Sequence, residues 1–166
     1  MRIYLAADHA GFELKDKLIS FLKDLGYEVE DKGALSYNED DDYPDFVKLI
    51  ADEVGKDPKA KGIVIGKSGQ GEAMCANRVK GVRAVVFYAG PMDIIRLSRQ
   101  HNDTNVLSLA AGFLDEEEAK VAVKTWIETP FSGDERHVRR IAKLDNWKGP
   151  AVLAGPPTIS YSWAHK

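Results

Sequence analysis

The sequence predicts an α/β domain in which short buried strands alternate with amphipathic helices. Three observations support this prediction: apolar runs short enough to be strands, amphipathic stretches between them, and typical helix-terminating residues at the boundaries of those stretches. Regular alternation of this kind indicates a parallel sheet that is covered by helices on both faces. The 166 residues are enough for one such domain.

Five strands are predicted along the chain. Tyr27–Asp31 is the more exposed strand, and the other four are continuous apolar runs typical of fully buried strands. The four runs are Ile3–Ala7, Gly62–Ile65, Ala84–Phe87 and Val106–Leu109. Five parallel strands fit a doubly wound, three-layer domain of the Rossmann or flavodoxin-like type with the order 2-1-3-4-5. Ligands of that fold bind at the carboxyl ends of strands 1 and 3.

Each of the six predicted helices has a boundary that the sequence marks. Gly26 ends the first helix, whose apolar stripe begins at Leu14. Asp115, followed by three glutamates, caps the fifth. The remaining boundaries are as follows: the second helix follows Pro44, the third begins near Gly71, the fourth near Met92, and the sixth runs from about Asp134 to Leu144.

Composition favours a cytoplasmic protein that binds neither nucleic acid nor membrane. Hydrophobic residues make up 44% and charged residues 30% of the chain, which is ordinary for a globular domain. The net charge of −3 gives no electrostatic case for nucleic acid. No apolar stretch approaches the length of a membrane span, and MRIYLAADHAG enters a strand without a secretory leader. Cys75 is the single cysteine, which excludes an internal disulfide and a multi-cysteine metal site.

Residues 1–146 are predicted to form the one domain, and residues 147–166 an irregular C-terminal tail. The tail has three of the seven prolines and no helical periodicity. Its apolar residues favour packing of part of it on a surface, and a disordered tail is the alternative.

Polar residues follow strands 1 and 3 at the edge where a ligand is expected. Asp8 and His9 follow the first of these strands, and the glycine-rich stretch Gly66–Glu72 follows the second. Three glycines in six residues let the backbone come close to a ligand, and the amides at the helix start attract an anion. The alternatives are that Asp8 only caps a helix, that His9 is a polar turn residue, and that the glycines form a tight turn without function.

Glu72 makes the glycine-rich stretch more informative. Its carboxylate is placed beside N–H donors suited to a developing oxyanion, which is the pairing that an enediolate mechanism requires. Lys67 and the helix dipole favour the ionised carboxylate, whereas burial opposes it. Stabilisation of the helix dipole alone is the alternative explanation.

His101 and Asn102 raise a geometric problem. They close helix 4 and precede strand 5, so they belong at the opposite end of the sheet from the ends of strands 1 and 3. In a monomer, His101 would simply bond the last helix carbonyls. If His101 is catalytic, a neighbouring subunit must supply it, which implies an active site shared within a symmetric oligomer.

Two groups of charged residues could be read as binding sites. Arg136 and Arg140 are four residues apart and share a helix face, where a bound anion would offset their repulsion; a solvated basic face is the alternative. The acidic run Glu39–Asp42 is expected to be a solvated loop and not a metal site.

Six segments in this order resemble the type B ribose-5-phosphate isomerase family, which includes the allose- and galactose-phosphate isomerases. The segments are AADHAGFELK, DKGA, DDDYPDF, GIVIGKSGQGEAMCANRVKGVRA, SRQHNDTNVLSL and TPFSGDERHVRRI. The resemblance extends from residue 1 to about residue 145. It implies interconversion of D-ribose 5-phosphate and D-ribulose 5-phosphate, no cofactor or metal, and a homodimer or tetramer whose sites are shared between subunits.

The resemblance also implies a role for each matching residue. Glu72 would move the proton between C2 and C1 of the sugar. The remaining roles are ring opening by Asp8 and His101, binding of the enediolate oxygens by Ser68 with the backbone of Gly69, Gln70 and Gly71, phosphate binding by His9, Arg136 and Arg140, and lining of the pocket by Tyr43 and Asn102. Lys67 lies inside the anion-binding loop and is expected to contact substrate.

This sequence departs from the family pattern at four places. Gly66 stands where some members have a cysteine base, so the chain resembles the branch with a glutamate base. Lys67 replaces a small residue, and Gly112 replaces a phosphate-binding arginine of many members. The chain is also two residues longer, in the turn 88–91.

These departures leave several functions open. The exchange of cations at Lys67 and Gly112 is either compensatory or the mark of another substrate, such as allose 6-phosphate, galactose 6-phosphate or a tetrose phosphate. The sequence is also compatible with a non-catalytic phosphate- or nucleotide-binding module, and with an inactive subunit of a mixed oligomer.

Overall fold

The computed structural model describes residues 1–146, so the predicted tail 147–166 lies outside the described residues. Five strands form one parallel sheet. They are β1 Arg2–Ala7, β2 Glu28–Asp31, β3 Lys61–Gly66, β4 Ala84–Phe87 and β5 Val106–Ala110. All five predicted strands are therefore confirmed, each within one residue at either end.

The six predicted helices are also confirmed. They are α1 Phe12–Asp24, α2 Tyr43–Lys56, α3 Gln70–Ala76, α4 Asp93–Asn102, α5 Glu116–Glu128 and α6 Glu135–Asp145, and a 3-10 turn at His9–Gly11 precedes α1. Asp115 caps α5 as predicted, because its carboxylate accepts the Glu118 N–H while the Glu118 carboxylate accepts the Asp115 N–H. No helix within residues 1–146 has both the length and the apolar character needed to cross a bilayer.

The order of the strands corrects one detail of the prediction. The doubly wound α/β class is confirmed, but the observed order is β2-β1-β3-β5-β4, so the last two strands of the predicted order 2-1-3-4-5 exchange places. Every residue of β5 is buried, whereas three of the four residues of β4 are only partly buried. The longer apolar strand takes the interior position because both of its faces are then shielded from water.

Alternating side chains of the sheet form two cores. One face of the sheet packs against α1, α4 and α5, and the other against α2 and α3. In β1, for example, Ile3 and Leu5 face the first core while Tyr4 and Ala6 face the second. α6 packs on α4 at the outside of this three-layer arrangement.

The neighbouring strands β1 and β3 create the predicted ligand-binding edge. They pair directly, with β2 on the far side of β1 and β5 on the far side of β3. The strand order reverses between β1 and β3, so the loops after them flank a crevice at their carboxyl ends. The exchange of β4 and β5 leaves this crevice where the sequence predicts it.

Candidate active site

The residues predicted to bind substrate fall into two separate clusters. We call Asp8, His9, Tyr43 and residues 67–72 the carboxyl-end cluster, because they surround the ends of β1 and β3. We call His101, Asn102, Arg136 and Arg140 the amino-end cluster, because α4 ends where β5 begins.

Asp8 caps the 3-10 turn that follows β1. Its Oδ1 accepts the backbone N–H groups of Ala10 at 3.0 Å and Gly11 at 3.3 Å, as the capping alternative predicted. The residue is 8% exposed, and this burial raises the pKa of its carboxyl. Capping occupies one carboxylate oxygen, so Oδ2 remains for a ligand.

The glycine-rich loop turns sharply into α3 at Gly69. Gly69 has a φ of 71° and is the residue immediately before the helix, a conformation that strongly favours glycine. The Ser108 hydroxyl donates a 2.6 Å hydrogen bond to the Gly69 carbonyl and ties the loop to β5. Ser68 is exposed, and its Oγ accepts only a long contact of 3.4 Å from the Gln70 N–H. The loop thus presents a hydroxyl and helix-start amides to the crevice.

Glu72 lies in the first turn of α3 and its carboxylate packs on the end of β3. The residue is only 4% exposed. A Cβ added to Gly66 would overlap the Glu72 Oε1, so the missing side chain at Gly66 provides the space that this carboxylate occupies. A cysteine side chain at position 66 and the present carboxylate therefore exclude each other.

Burial raises the pKa of Glu72 above its ordinary value of 4.5. The negative charge of Asp8 raises it further, while the backbone N–H of Glu72 itself opposes the rise. Asp8 and Glu72 are therefore close enough to interact, although they follow different strands. A raised pKa suits a carboxylate that must accept a proton and release it again near neutral pH.

Tyr43 closes the side of the crevice that faces α2. A Cβ added to Gly71 would lie 2.7 Å from the Tyr43 Cζ and 2.8 Å from its hydroxyl oxygen. The tyrosine thus packs directly against the glycine-rich loop, as expected for a residue that lines the pocket.

His9 contacts Asp41, a residue of the acidic loop that precedes α2. The Asp41 Oδ1 lies 2.7 Å from the His9 Nδ1 and accepts the His9 backbone N–H at 3.1 Å. The Asp41 side chain is only 7% exposed. The prediction that Glu39–Asp42 is a solvated loop is therefore wrong for Asp41, because its contact with His9, 32 residues away in sequence, buries it.

Asp8, His9 and Asp41 each place one donor atom within 4.8 Å of the others, a spacing that a cation could use. The 2.7 Å approach of the His9 Nδ1 to the Asp41 Oδ1 is also an ordinary hydrogen-bond distance. We therefore interpret the three residues as a hydrogen-bonded cluster.

Lys67 and Gly112 lie side by side at the ends of β3 and β5. The Gly112 N–H donates to the Lys67 carbonyl at 2.9 Å, and a Cβ added to Gly112 would lie 3.2 Å from the Lys67 Cγ. A positively charged side chain at position 67 therefore leaves the backbone at almost the same place as one at position 112 would. This adjacency favours the compensatory explanation of the exchange.

The amino-end cluster is organised around two stacked histidine rings. The rings of His101 and His137 are 4.2 Å apart and inclined by 12°. His137 is buried, and burial followed by the charges of His101 and Arg136 lowers its pKa. The Arg136 Nε donates to the His137 Nε2 at 3.2 Å. His101, Arg136 and the exposed Arg140 thus share one surface.

The two clusters cannot act on one small molecule within a single chain. Because the strands are parallel, the carboxyl-end cluster lies at one end of the strands and the amino-end cluster lies at the other end. A strand of five or six residues at about 3.3 Å per residue separates them by roughly 15–20 Å. The opposite-end position predicted for His101 is therefore confirmed.

Three residues with site contacts are absent from the predicted site: Asp41, Ser108 and His137. Ser108 carries a signal that could have identified it, because it is the single polar residue in an apolar strand and a buried hydroxyl needs a partner. His137 lies between two residues already assigned to phosphate binding. Asp41 carries no comparable signal, since nothing distinguishes it from its acidic neighbours.

A cavity beside β4 lies away from Glu72. It has a volume of about 960 Å³ and opens beside the amino end of β4, between residues 77–85 and the end of α6, with Asn102 on its wall. Asp145 in this cavity is paired with Arg83 at 3.4 Å. The described residues that line this cavity include no acid–base pair comparable with Asp8 and Glu72.

Comparisons with known proteins show the family of this chain. The family model described as Ribose/Galactose Isomerase matches residues 3–144. Ribose-5-phosphate isomerase B of Mycobacterium tuberculosis is 42% identical over 160 residues, which cover 94% of this chain and 98% of that protein. The Escherichia coli protein of the same name is 39% identical over 143 residues, 86% of this chain and 93% of its own.

A solved structure gives the same result for the fold. The crystal structure of Ribose-5-phosphate Isomerase B from Mycoplasma genitalium with bound ribulose-5-phosphate has a TM-score of 0.83 and 38% identity to this chain. The match covers 87% of this chain and 93% of that one. Because the family model matches residues 3–144 and the relatives are about 40% identical over most of their length, the chain belongs to the Ribose/Galactose Isomerase family.

Proposed function

We propose that the protein is an aldose–ketose isomerase that interconverts D-ribose 5-phosphate and D-ribulose 5-phosphate through an enediolate. The observation that supports this most directly is the buried carboxylate of Glu72 beside the amides of the glycine-rich loop. The ribulose-5-phosphate named for the Mycoplasma genitalium structure supports the choice of substrate.

The proton transfer follows from the position of Glu72. Its carboxylate takes the proton from C2, and the electron pair of that C–H bond forms the C1–C2 double bond as the C1 carbonyl pair moves to O1. The Ser68 hydroxyl and the amides of residues 69–71 stabilise the charge on the oxygens. The hydroxyl proton of O2 passes to O1, and Glu72 returns its proton to C1 as the C2 carbonyl forms. The reaction rearranges protons and electron pairs within the sugar without net oxidation or reduction, so it needs no redox cofactor.

The phosphate and the closed sugar ring require residues from both clusters. His9 would bind the phosphate together with Arg136 and Arg140 of a second copy of the chain, whose charges suit a dianion. Lys67, at the rim of the loop, would add a further positive charge.

Opening of the ring needs a base that removes the proton of the O1 hydroxyl and an acid that protonates the ring oxygen. Asp8 would contribute from the carboxyl-end cluster and His101 of the second copy from the amino-end cluster, with Tyr43 and Asn102 lining the pocket. A symmetric dimer that brings the two clusters together would complete two sites at once.

Exposed apolar side chains near the edge strand β4 support such a dimer. They are Met74 on α3, Tyr88 after β4, and Ile94 and Leu97 on α4, which are 45–61% exposed. We retain as predictions a cytoplasmic location, one domain in residues 1–146, and an irregular tail in residues 147–166.

A panel of sugar phosphates tests the substrate. The purified chain is assayed with ribose 5-phosphate, allose 6-phosphate, galactose 6-phosphate and erythrose 4-phosphate, with unphosphorylated ribose as the control. We expect the highest kcat/KM for ribose 5-phosphate and almost no turnover of ribose. A higher rank for another sugar phosphate would reassign the substrate, and binding without turnover of any of them would favour the non-catalytic module or the mixed oligomer.

A further inference from the structure

Asp41 is a buried carboxylate in a loop whose other acidic residues are exposed. Glu39, Asp40 and Asp42 all face solvent, whereas the Asp41 side chain is 7% exposed. Removing a carboxylate from water is costly unless hydrogen bonds or an opposite charge compensate it. The groups that contact the Asp41 carboxylate therefore indicate its role.

His9 supplies every polar contact of this carboxylate within residues 1–146. Oδ1 accepts from the His9 backbone N–H and lies 2.7 Å from the ring Nδ1, while Oδ2 is buried without a hydrogen-bond partner. No lysine or arginine of the described chain forms an ion pair with Asp41. The imidazole is thus the one positive group in the described part of the chain that can compensate this buried charge.

The contact determines which nitrogen of His9 carries a proton. A carboxylate oxygen only accepts hydrogen bonds, so a 2.7 Å contact requires the proton on Nδ1. The other ring nitrogen, Nε2, then remains free for a ligand. The Tyr37 ring packs beside the imidazole in a T-shaped arrangement, with the two ring centroids 6.4 Å apart and the ring planes inclined by 85°.

All the charged groups that act on His9 favour its cationic form. The hydrogen bond to Asp41 raises the pKa of His9 most, the charges of Asp8, Asp41 and Glu39 raise it further, and burial opposes the rise. His9 is 35% exposed, so a phosphate can reach it.

We propose that Asp41 is a positioning residue that holds His9 in its Nδ1-protonated orientation and presents a positive Nε2–H to the phosphate of the substrate. The proposal rests on the proposed function, in which His9 binds that phosphate. In this proposal the Asp41 carboxylate does not contact the substrate, but it sets the charge and the orientation of His9, which does.

Asp41→Asn tests this proposal with Asp40→Asn as the matched control. Asparagine keeps the shape and an acceptor for the ring but removes the charge, and Asp40 is an exposed neighbour of the same residue type. For Asp41→Asn we expect KM for ribose 5-phosphate at pH 7.5 to rise about three- to tenfold, with kcat within about twofold of wild type. Asp40→Asn should leave both constants unchanged, and Asp41→Glu should partly restore KM.

An NMR titration of the imidazole nitrogens provides the readout that a merely structural role would not change. A cationic His9 is present below its pKa and is lost as the pH rises through it. In Asp41→Asn the pKa of His9 should fall, so the rise in KM with pH should begin at a lower pH than in wild type. An unchanged His9 titration, or a loss of kcat with unchanged KM, would overturn the proposal.

The two readouts separate this proposal from the proposed function. If the wild-type chain turns over no sugar phosphate, the proposed function fails, but the titration still tests the Asp41–His9 pair, with inorganic phosphate as the probe. Tighter phosphate binding to wild type than to Asp41→Asn at pH 7.5 would then support the role of Asp41. Equal binding would contradict it.

Discussion

At the residue scale, Gly66 and Glu72 depend on each other sterically. The carboxylate occupies the space that a side chain at position 66 would fill. Gly66→Ala should displace the flexible end of Glu72 with little effect on the fold, because the overlapping atoms belong to that carboxylate. We expect kcat to fall at least roughly 10²-fold, with thermal unfolding close to that of wild type. A variant with normal kcat would show that the carboxylate position is not critical.

The raised pKa of Glu72 predicts opposite effects on activity and stability. As the proposed base, Glu72 must be ionised, so kcat/KM should fall as the pH falls through a pKa above the ordinary value of 4.5. Because the folded-state pKa is raised, folding favours the protonated form, and stability is lost as the pH rises from the ordinary to the raised value. Glu72→Gln lacks this loss and should unfold at a higher temperature than wild type at pH 7. Equal melting temperatures of the two proteins at pH 7 would contradict this explanation.

At the scale of elements, a buried ion pair anchors the loop that carries Asp41. The Lys15 ammonium on α1 donates to both oxygens of Asp31 at 2.9 and 2.8 Å, and also to the Ala34 carbonyl. Lys15 is 1% exposed. Its removal would leave the Asp31 carboxylate, which is 29% exposed, with the Gly33 N–H as its remaining hydrogen-bond donor among the described residues.

Lys15→Met should therefore lower the free energy of unfolding by about 2 kcal/mol, as expected for the loss of charged hydrogen bonds to a partly buried carboxylate. Lys17→Met is the control, because Lys17 lies on the same helix and forms an exposed pair with Glu116 at 3.0 Å; it should cost less than about 1 kcal/mol. Urea unfolding measures both. Similar losses in the two variants would show that the buried pair has no special role.

The elements also show what the sequence could and could not predict. Apolar runs and capping residues located all eleven strands and helices, because these signals are local. The order of β4 and β5 could not be predicted, because it depends on which strand is buried between neighbours in the folded sheet and no local pattern distinguishes the two. The position of His101 at the opposite end of the sheet from Glu72 could be predicted, because it follows from the topology alone. The Asp41–His9 contact could not be predicted, because it joins residues 32 apart and neither segment indicates it.

At the scale of the whole molecule, the separation of the two clusters predicts complementation between inactive chains. Glu72→Gln impairs the carboxyl-end cluster and His101→Asn the amino-end cluster, so each homodimer should be nearly inactive. Unfolding and refolding the two together should produce mixed dimers with one intact site each, and about a quarter of wild-type activity. No recovery on mixing would indicate that each chain builds its site alone.

Movement of the proton between C2 and C1 by Glu72 is the step on which the proposed reaction depends. Exchange of the C2 proton of ribose 5-phosphate with deuterium from D₂O, followed by NMR, measures this step directly. Glu72→Gln should reduce exchange at least roughly 10²- to 10⁴-fold while substrate binding stays nearly intact. Glu13→Gln, an exposed first-turn glutamate on α1, should exchange at the wild-type rate. Near-normal exchange in Glu72→Gln would contradict the role of Glu72 as the base.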